Sequence, residues 1–218
     1  MAEPLAIEVA TETLHLLPDR AVYWPRTRTL IVADTHFGKD DVFRRAGIAL
    51  PRGPAIADLQ RLTTLLKATE STRLVVLGDF LHGATRPGDS FPRAFAAWRS
   101  AHASLSIDVA GGNHDRHEAR ERWSGLIRWH PWLVEPPFVL SHEPAPRSEG
   151  HVLAGHLHPA VLLPGAAGGR VPVFWARRNV LVLPSFGSFT GGVVVRPDPG
   201  ERVFAVAPER VVPIPGPV

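Results

Sequence analysis

The chain has 218 residues, 44% of them hydrophobic, enough for one sizeable core, and a formal charge of only +3. It has no run of eighteen apolar residues and no charged-then-apolar N-terminal leader, so neither a membrane span nor a signal peptide is expected, and a cytoplasmic location is. Cysteine is absent, which excludes disulfides, thiolate metal sites and cysteine nucleophiles; any metal must be held by His, Asp, Glu or Asn. In chain order, "LAIEV", "TLHLL" and "AVYW" read as opening edge strands, and "TLIVAD" (29–34) as a strand ending in Asp. Pro54 to Thr69 reads as a helix: Ile56, Leu59, Leu62, Leu65 and Leu66 recur at helical spacing and Pro54 suits the first turn. "RLVVLGD" (73–79) is a second Asp-ended strand. A helix follows with Phe91, Phe95 and Trp98 on one face and Asp89 or Ser90 as its cap.

"SIDV" then alternates as a strand and runs into "AGGNHDRH" (110–117), with a short helix expected from His117 to Trp123. "FVLSH" (138–142) and "HVLAGHLH" (151–158) repeat the plan of an apolar run closed by ligand-capable side chains. "VPVFW", "NVLVL", "GGVVV" and "RVFAV" lie between Gly, Pro and Asn breaks and read as an antiparallel set. With no repeat and no long linker, residues 1–212 are expected to form a single domain, and 213–218 a Pro-rich extended tail.

Polar groups at the carboxyl ends of successive strands project from one sheet edge, where α/β folds place their sites. Here these are Asp34, His36, Asp79, Asn113, His114, His142, His156 and His158. Asp34 and His36, and His156 and His158, are two apart, so each pair shares a face if extended. One such pair is weak; five such endings in order point to a metal centre. Mixed N/O ligation without thiolate suits Mn²⁺, with Fe or Zn²⁺ as alternatives.

"DTH", "GD", "GNHD", "SH" and "GHLH", in this order over residues 34–158, resemble the calcineurin-like metallophosphoesterase superfamily. "ADTHFGKDDVFRRAGIALPRG" and "LPSFGSFTGG" further resemble the ligase-associated DNA damage response endonucleases, the PdeM family. The resemblance implies a four-layer α/β/β/α sandwich of two mixed β-sheets flanked by helices. It implies two divalent ions: the first on Asp34, His36 and His158, the second on Asn113, His142 and His156, with Asp79 bridging. Hydroxide between the ions would attack phosphorus, and His114 would contact the scissile phosphate or protonate the leaving oxygen. Asp115 would orient the His114 ring, cap the next helix, or both.

Substrate-binding candidates are Lys39, Arg45, His82 and Arg86, with Arg44 beside them; solvated charge and a plain loop histidine are the competing readings. Trp129 and Trp132 are candidates for base stacking, or for packing. The expected function is a phosphodiesterase or endonuclease acting on DNA in repair, with DNA ligase and other repair proteins as partners by resemblance. The alternative is an esterase for a small phosphoester. A scaffold without activity is disfavoured because every ligand is present. DNA grip would come from the arginines at 44–52, a second subunit in a homodimer, or a partner.

Overall fold

The computed structural model describes residues 3–48, 53–115, 121, 123–162 and 169–215. Two mixed β-sheets pack face to face. The first contains, in spatial order, β1 (Leu5–Val9), β2 (Glu12–Leu17), β3 (Ala21–Trp24), β4 (Thr29–Ala33), β5 (Arg73–Leu77), β6 (Ser106–Ala110) and β7 (Arg128–His130). Its first three pairings are antiparallel, and β4 to β7 are parallel. Every residue of β4 is buried, as a strand covered on both faces demands, which is why "TLIVA" is apolar throughout instead of alternating.

The second sheet is built from β8 (Leu133–Glu135), β9 (Phe138–Ser141), β10 (His151–Ala154), β11 (Pro159–Leu162), β12 (Arg170–Ala176), β13 (Val180–Val182), β14 (Val193–Val194), β15 (Arg202–Val206) and β16 (Val211–Ile214). β9, β10 and β13 are parallel neighbours, so residues beyond β9 and β10 emerge at one edge. The late strands are antiparallel where β12 meets β13 and β15, and where β15 meets β16. β14 departs from the expected set: two exposed residues paired parallel to β11. β16 carries the sheet two residues past 212, with Pro213 opposite Phe204; an edge strand tolerates a residue without an N–H.

Helices α1 (Lys39–Arg45), α2 (Pro54–Ala68) and α3 (Ser90–Ala101) follow β4 and β5. α2 and α3 pack Leu59, Leu62, Phe91 and Phe95 onto Leu30, Val32, Leu74 and Val76, the outer face of the first sheet. The inner face, Ile31, Ala33, Val75 and Leu77, meets Phe138, Leu140, Leu153 and Phe174 of the second sheet. α2 and α3 thus cover one side of the sandwich, with α1 beside α2. None of them is long and apolar enough to cross a membrane.

Three details correct the sequence reading. Ile56 lies on the outer side of α2 and is 43% exposed; Ala55 and Asp58 face inward in its place. Asp89 occupies the N-cap position of α3 as expected, but its side chain makes no capping bond. Its carboxylate accepts the Arg86 N–H and pairs with Arg45, while Asp41 of α1 accepts the Ser90 and Phe91 N–H groups at 3.0 and 3.1 Å. α1 itself was not foreseen as a separate helix. The short helix expected at 117–123 falls largely outside the described residues.

Candidate metal centre

β4, β5, β6, β9 and β10 all deliver their carboxyl ends to the same edge of the sandwich. Asp34 and His36 follow β4, Asp79 follows β5, Asn113 and His114 follow β6, His142 follows β9, and His156 and His158 follow β10. The side chains form two clusters. His36 Nε2 lies 3.4 Å from His158 Nε2, which is 3.6 Å from Asp34 Oδ1. Asn113 Oδ1 and His156 Nδ1 are each 3.0 Å from His142 Nε2. Asp79 stands between them, Oδ2 3.7 Å from His36 Nε2 and Oδ1 3.7 Å from His142 Nε2.

This donor set fits a cation in each cluster. His142 Nδ1 donates to the Leu77 carbonyl at 3.2 Å, leaving the Nε2 lone pair aimed at Asn113 Oδ1 and the His156 ring. Acceptors converging on acceptors are resolved by positive charge between them. Burial pushes the His36 imidazole down to about 2, aided by the His158, His114 and His82 rings and Lys39, so it is neutral and able to ligate. Burial raises the Asp34 carboxyl above its usual range, against the pull of His158 and His142. A cation would compensate that buried charge.

The backbone is shaped for this gathering. Ten described non-glycine residues have positive φ, and five of them are Asp34, His36, Asp79, His156 and His158. Left-handed backbone at bulky residues costs energy and persists where the surroundings enforce it. Here the enforcement is visible: His156 N–H donates to Asp34 Oδ2 at 2.9 Å, and His114 N–H to Asp79 Oδ1 at 2.9 Å. The glycine before Asn113 serves close approach: φ at Gly112 is not positive, but a Cβ there would overlap the backbone and carboxylate of Asp79.

His114 lies beside the clusters, its ring 5.1 Å from His36 and stacked 5.2 Å from His82. Its Nδ1 faces the His82 carbonyl at 3.2 Å. Asp115 makes no direct bond to this ring, and the helix it was expected to cap falls largely outside the described residues. The buried Asp115 carboxylate accepts the N–H groups of Phe80, Leu81 and Gly112, tying the loop after β5 to the loop after β6. His82 does enter the cleft, with ring nitrogens close enough to those of His36 and His114 to share a cation. Burial, Lys39 and His114 together push it down to about 4.

The other candidates divide. Arg45 is taken by Asp89 and Arg44 by Asp40 and Asp41, so neither guanidinium is offered to a substrate; residues 49–52 of the expected arginine loop lie outside the described residues. Arg86 is exposed. Lys39 stays by the cleft, 5.9 Å from the Phe43 ring and 5.8 Å from Phe189. Trp129 packs against the core, and Trp132 is covered by the Arg147 guanidinium at 4.0 Å. Two neighbours of the site went unforeseen. Glu143 sits 3.7 Å from His156 Nε2, and its signal was adjacency to His142. Phe189 stands beside Phe43 and Lys39 through contacts that no local pattern announces.

A two-sheet sandwich that gathers Asp, Asn and His at the carboxyl ends of parallel strands is a metallophosphoesterase-type fold. Among solved structures, the chain is similar to the Pseudomonas putida nuclease MPE, with 37% identity and a TM-score of 0.84 over 97% of this chain and 100% of that one. At that identity and coverage, the chain belongs to the family of that nuclease. Weaker likenesses are to a protein of unknown function from Aquifex aeolicus (19% identity, TM-score 0.44, 64% of this chain and 82% of that one) and to the E. coli phosphoesterase YfcE (16%, 0.42, 82% and 87%). No protein-family model and no curated protein matches the chain.

Proposed function

We propose that this chain is a metal-dependent phosphodiesterase acting on DNA as an endonuclease. The observation that carries the proposal is the pair of donor clusters held 3.7 Å to either side of Asp79, with His114 alongside. Asp34, His36 and His158 would hold one divalent ion and Asn113, His142 and His156 the other, with Asp79 offering one oxygen to each; manganese suits this donor set. Two such ions supply Lewis-acid charge for the phosphoryl oxygens and an acidified water as the nucleophile.

The chain's own groups do the rest. With Nδ1–H donated to the His82 carbonyl, His114 as the imidazolium would carry a second proton on Nε2 and give that proton to the leaving oxygen, ending as the neutral ring. Asp115 sets where that imidazole stands by fixing the two loops to each other. The family's nuclease member and the motif likeness to ligase-associated endonucleases support DNA as substrate and a role beside a DNA ligase in repair.

The test is hydrolysis by metal-stripped protein reloaded with Mn²⁺, comparing a chromogenic phosphodiester, the matching monoester, and single- and double-stranded DNA. Diester and DNA cleavage are expected. Cleavage of small esters with DNA untouched would replace this reading with a small-molecule esterase.

A further inference from the structure

Phe189 is 41% exposed, yet the segment that leads to it is buried and bonded to the first sheet and to α2. Leu183 to Gly187 are buried. Phe186 N–H donates to the Ala33 carbonyl at 2.7 Å, and Ser185 Oγ to the Asp34 carbonyl at 2.7 Å. Ser188 N–H donates to Asp58 Oδ2 at 3.0 Å, and the Arg61 guanidinium lies 3.9 Å over the buried Phe186 ring. A large apolar ring is thus presented to solvent on a rigid support anchored at the strand end that bears Asp34. Core packing does not require it there, because Phe186 already fills the buried position.

The surroundings say what such a ring could meet. Phe189 shares a surface depression with His36 and Lys39. Its ring stands edge-on to Phe43 at 5.8 Å, and Phe43 stacks on His82 at 6.0 Å. His82 stacks on His114 in turn. A row of aromatic rings therefore leads from the proton-donating side of the centre outward, ending on the exposed face of Phe189. The Lys39 ammonium beside Phe43 and Phe189 offers charge to a phosphate. Planar apolar surface next to a cation, both beside a phosphoester centre, matches one repeating chemistry: base, sugar and phosphate.

We infer that Phe189, backed by Phe43 and Lys39, is a stacking subsite for a nucleobase flanking the scissile phosphate. This rests on the nuclease reading above and adds the residue that separates a nucleic-acid strand from a small phosphoester. Aromatic–base stacking contributes about 1–3 kcal/mol per base, and about 1.4 kcal/mol, in the lower half of that range, is tenfold in affinity.

The test compares wild type, Phe189→Ala and Phe189→Tyr, all loaded with Mn²⁺. The substrates are a single-stranded oligonucleotide, the same oligonucleotide with abasic residues flanking the cleaved bond, and methyl p-nitrophenyl phosphate. Phe189→Ala should raise KM on the normal oligonucleotide about tenfold with kcat little changed, and Phe189→Tyr should restore it. On the abasic strand and the small diester, Phe189→Ala should match wild type. Equal loss on normal and abasic strands, or no loss on either, overturns the inference while leaving the nuclease reading intact. A wild type that hydrolyses the small diester but leaves DNA whole overturns both.

Discussion

Asn113 and His114 are adjacent in sequence and occupy different places in space. Asn113 Oδ1 faces the His142 nitrogen at 3.0 Å, in one donor cluster, whereas the His114 ring stacks on His82 outside both. The expected outcome is that His114→Ala binds Mn²⁺ as wild type does and loses 10²-fold or more of turnover, the usual scale for a general acid. Metal titration beside steady-state kinetics checks this, and equal loss of metal would move His114 into the ligand set. At this scale the sequence was legible for a definite reason. Each of the clustered donor side chains follows an apolar strand, and parallel strands bring their ends together. The bonds from Asp115 to the N–H groups of Phe80, Leu81 and Gly112 were not legible, because these are backbone groups without sequence signature. Phe189 was quoted within a motif but given no task, because its neighbours Phe43 and Lys39 lie some 150 residues earlier in the chain.

Strands and helices show the same division between local and distant causes. Phe91, Phe95 and Trp98 bury the face of α3 that their spacing predicts. Its cap comes from Asp41, invisible to a rule that looks one residue upstream. β7 and β8, three residues each, are too short for periodicity to reveal, and polar contacts help to place them. Asp108 of β6 lies buried on the inner face and binds Arg73 of β5 at 2.7 Å and Arg128 and His130 of β7 at 2.8 Å, while Arg73 reaches Glu135 of β8 in the other sheet. Burial would raise the Asp108 carboxyl, but the bonds from Arg128, Arg73 and His130 outweigh it and bring it down to about 2. A carboxyl lowered by folding stabilises above its unfolded value, near 4, and that contribution vanishes as pH falls through about 2. Asp108→Asn should therefore lower stability by about 1–2 kcal/mol at neutral pH, with the gap from wild type closing toward pH 2. Thermal melts of both proteins across that range check it, and a gap that stays constant would refute the assignment.

The whole molecule is a scaffold for one edge. The two sheets meet through a continuous apolar layer and bring the ends of five strands together, and half of the described non-glycine residues with positive φ are gathered at that point. Folding energy from the core sustains local strain at the site, which is where such strain is commonly stored. The two-sheet architecture was implied by the motif resemblance, while the strand endings by themselves marked only the shared edge. The placement of α2 and α3 on one sheet was not legible, because an amphipathic pattern says that a helix packs but not on which sheet. The central claim is that this edge holds two divalent ions with Asp79 between them. The most direct measurement is the Mn²⁺ stoichiometry of the folded protein, by elemental analysis after equilibrium dialysis, for wild type and His142→Ala. Two ions per chain in wild type and at most one tightly held in a folded His142→Ala are predicted. A wild type that retains no ion, or a His142→Ala that retains both, would contradict the account.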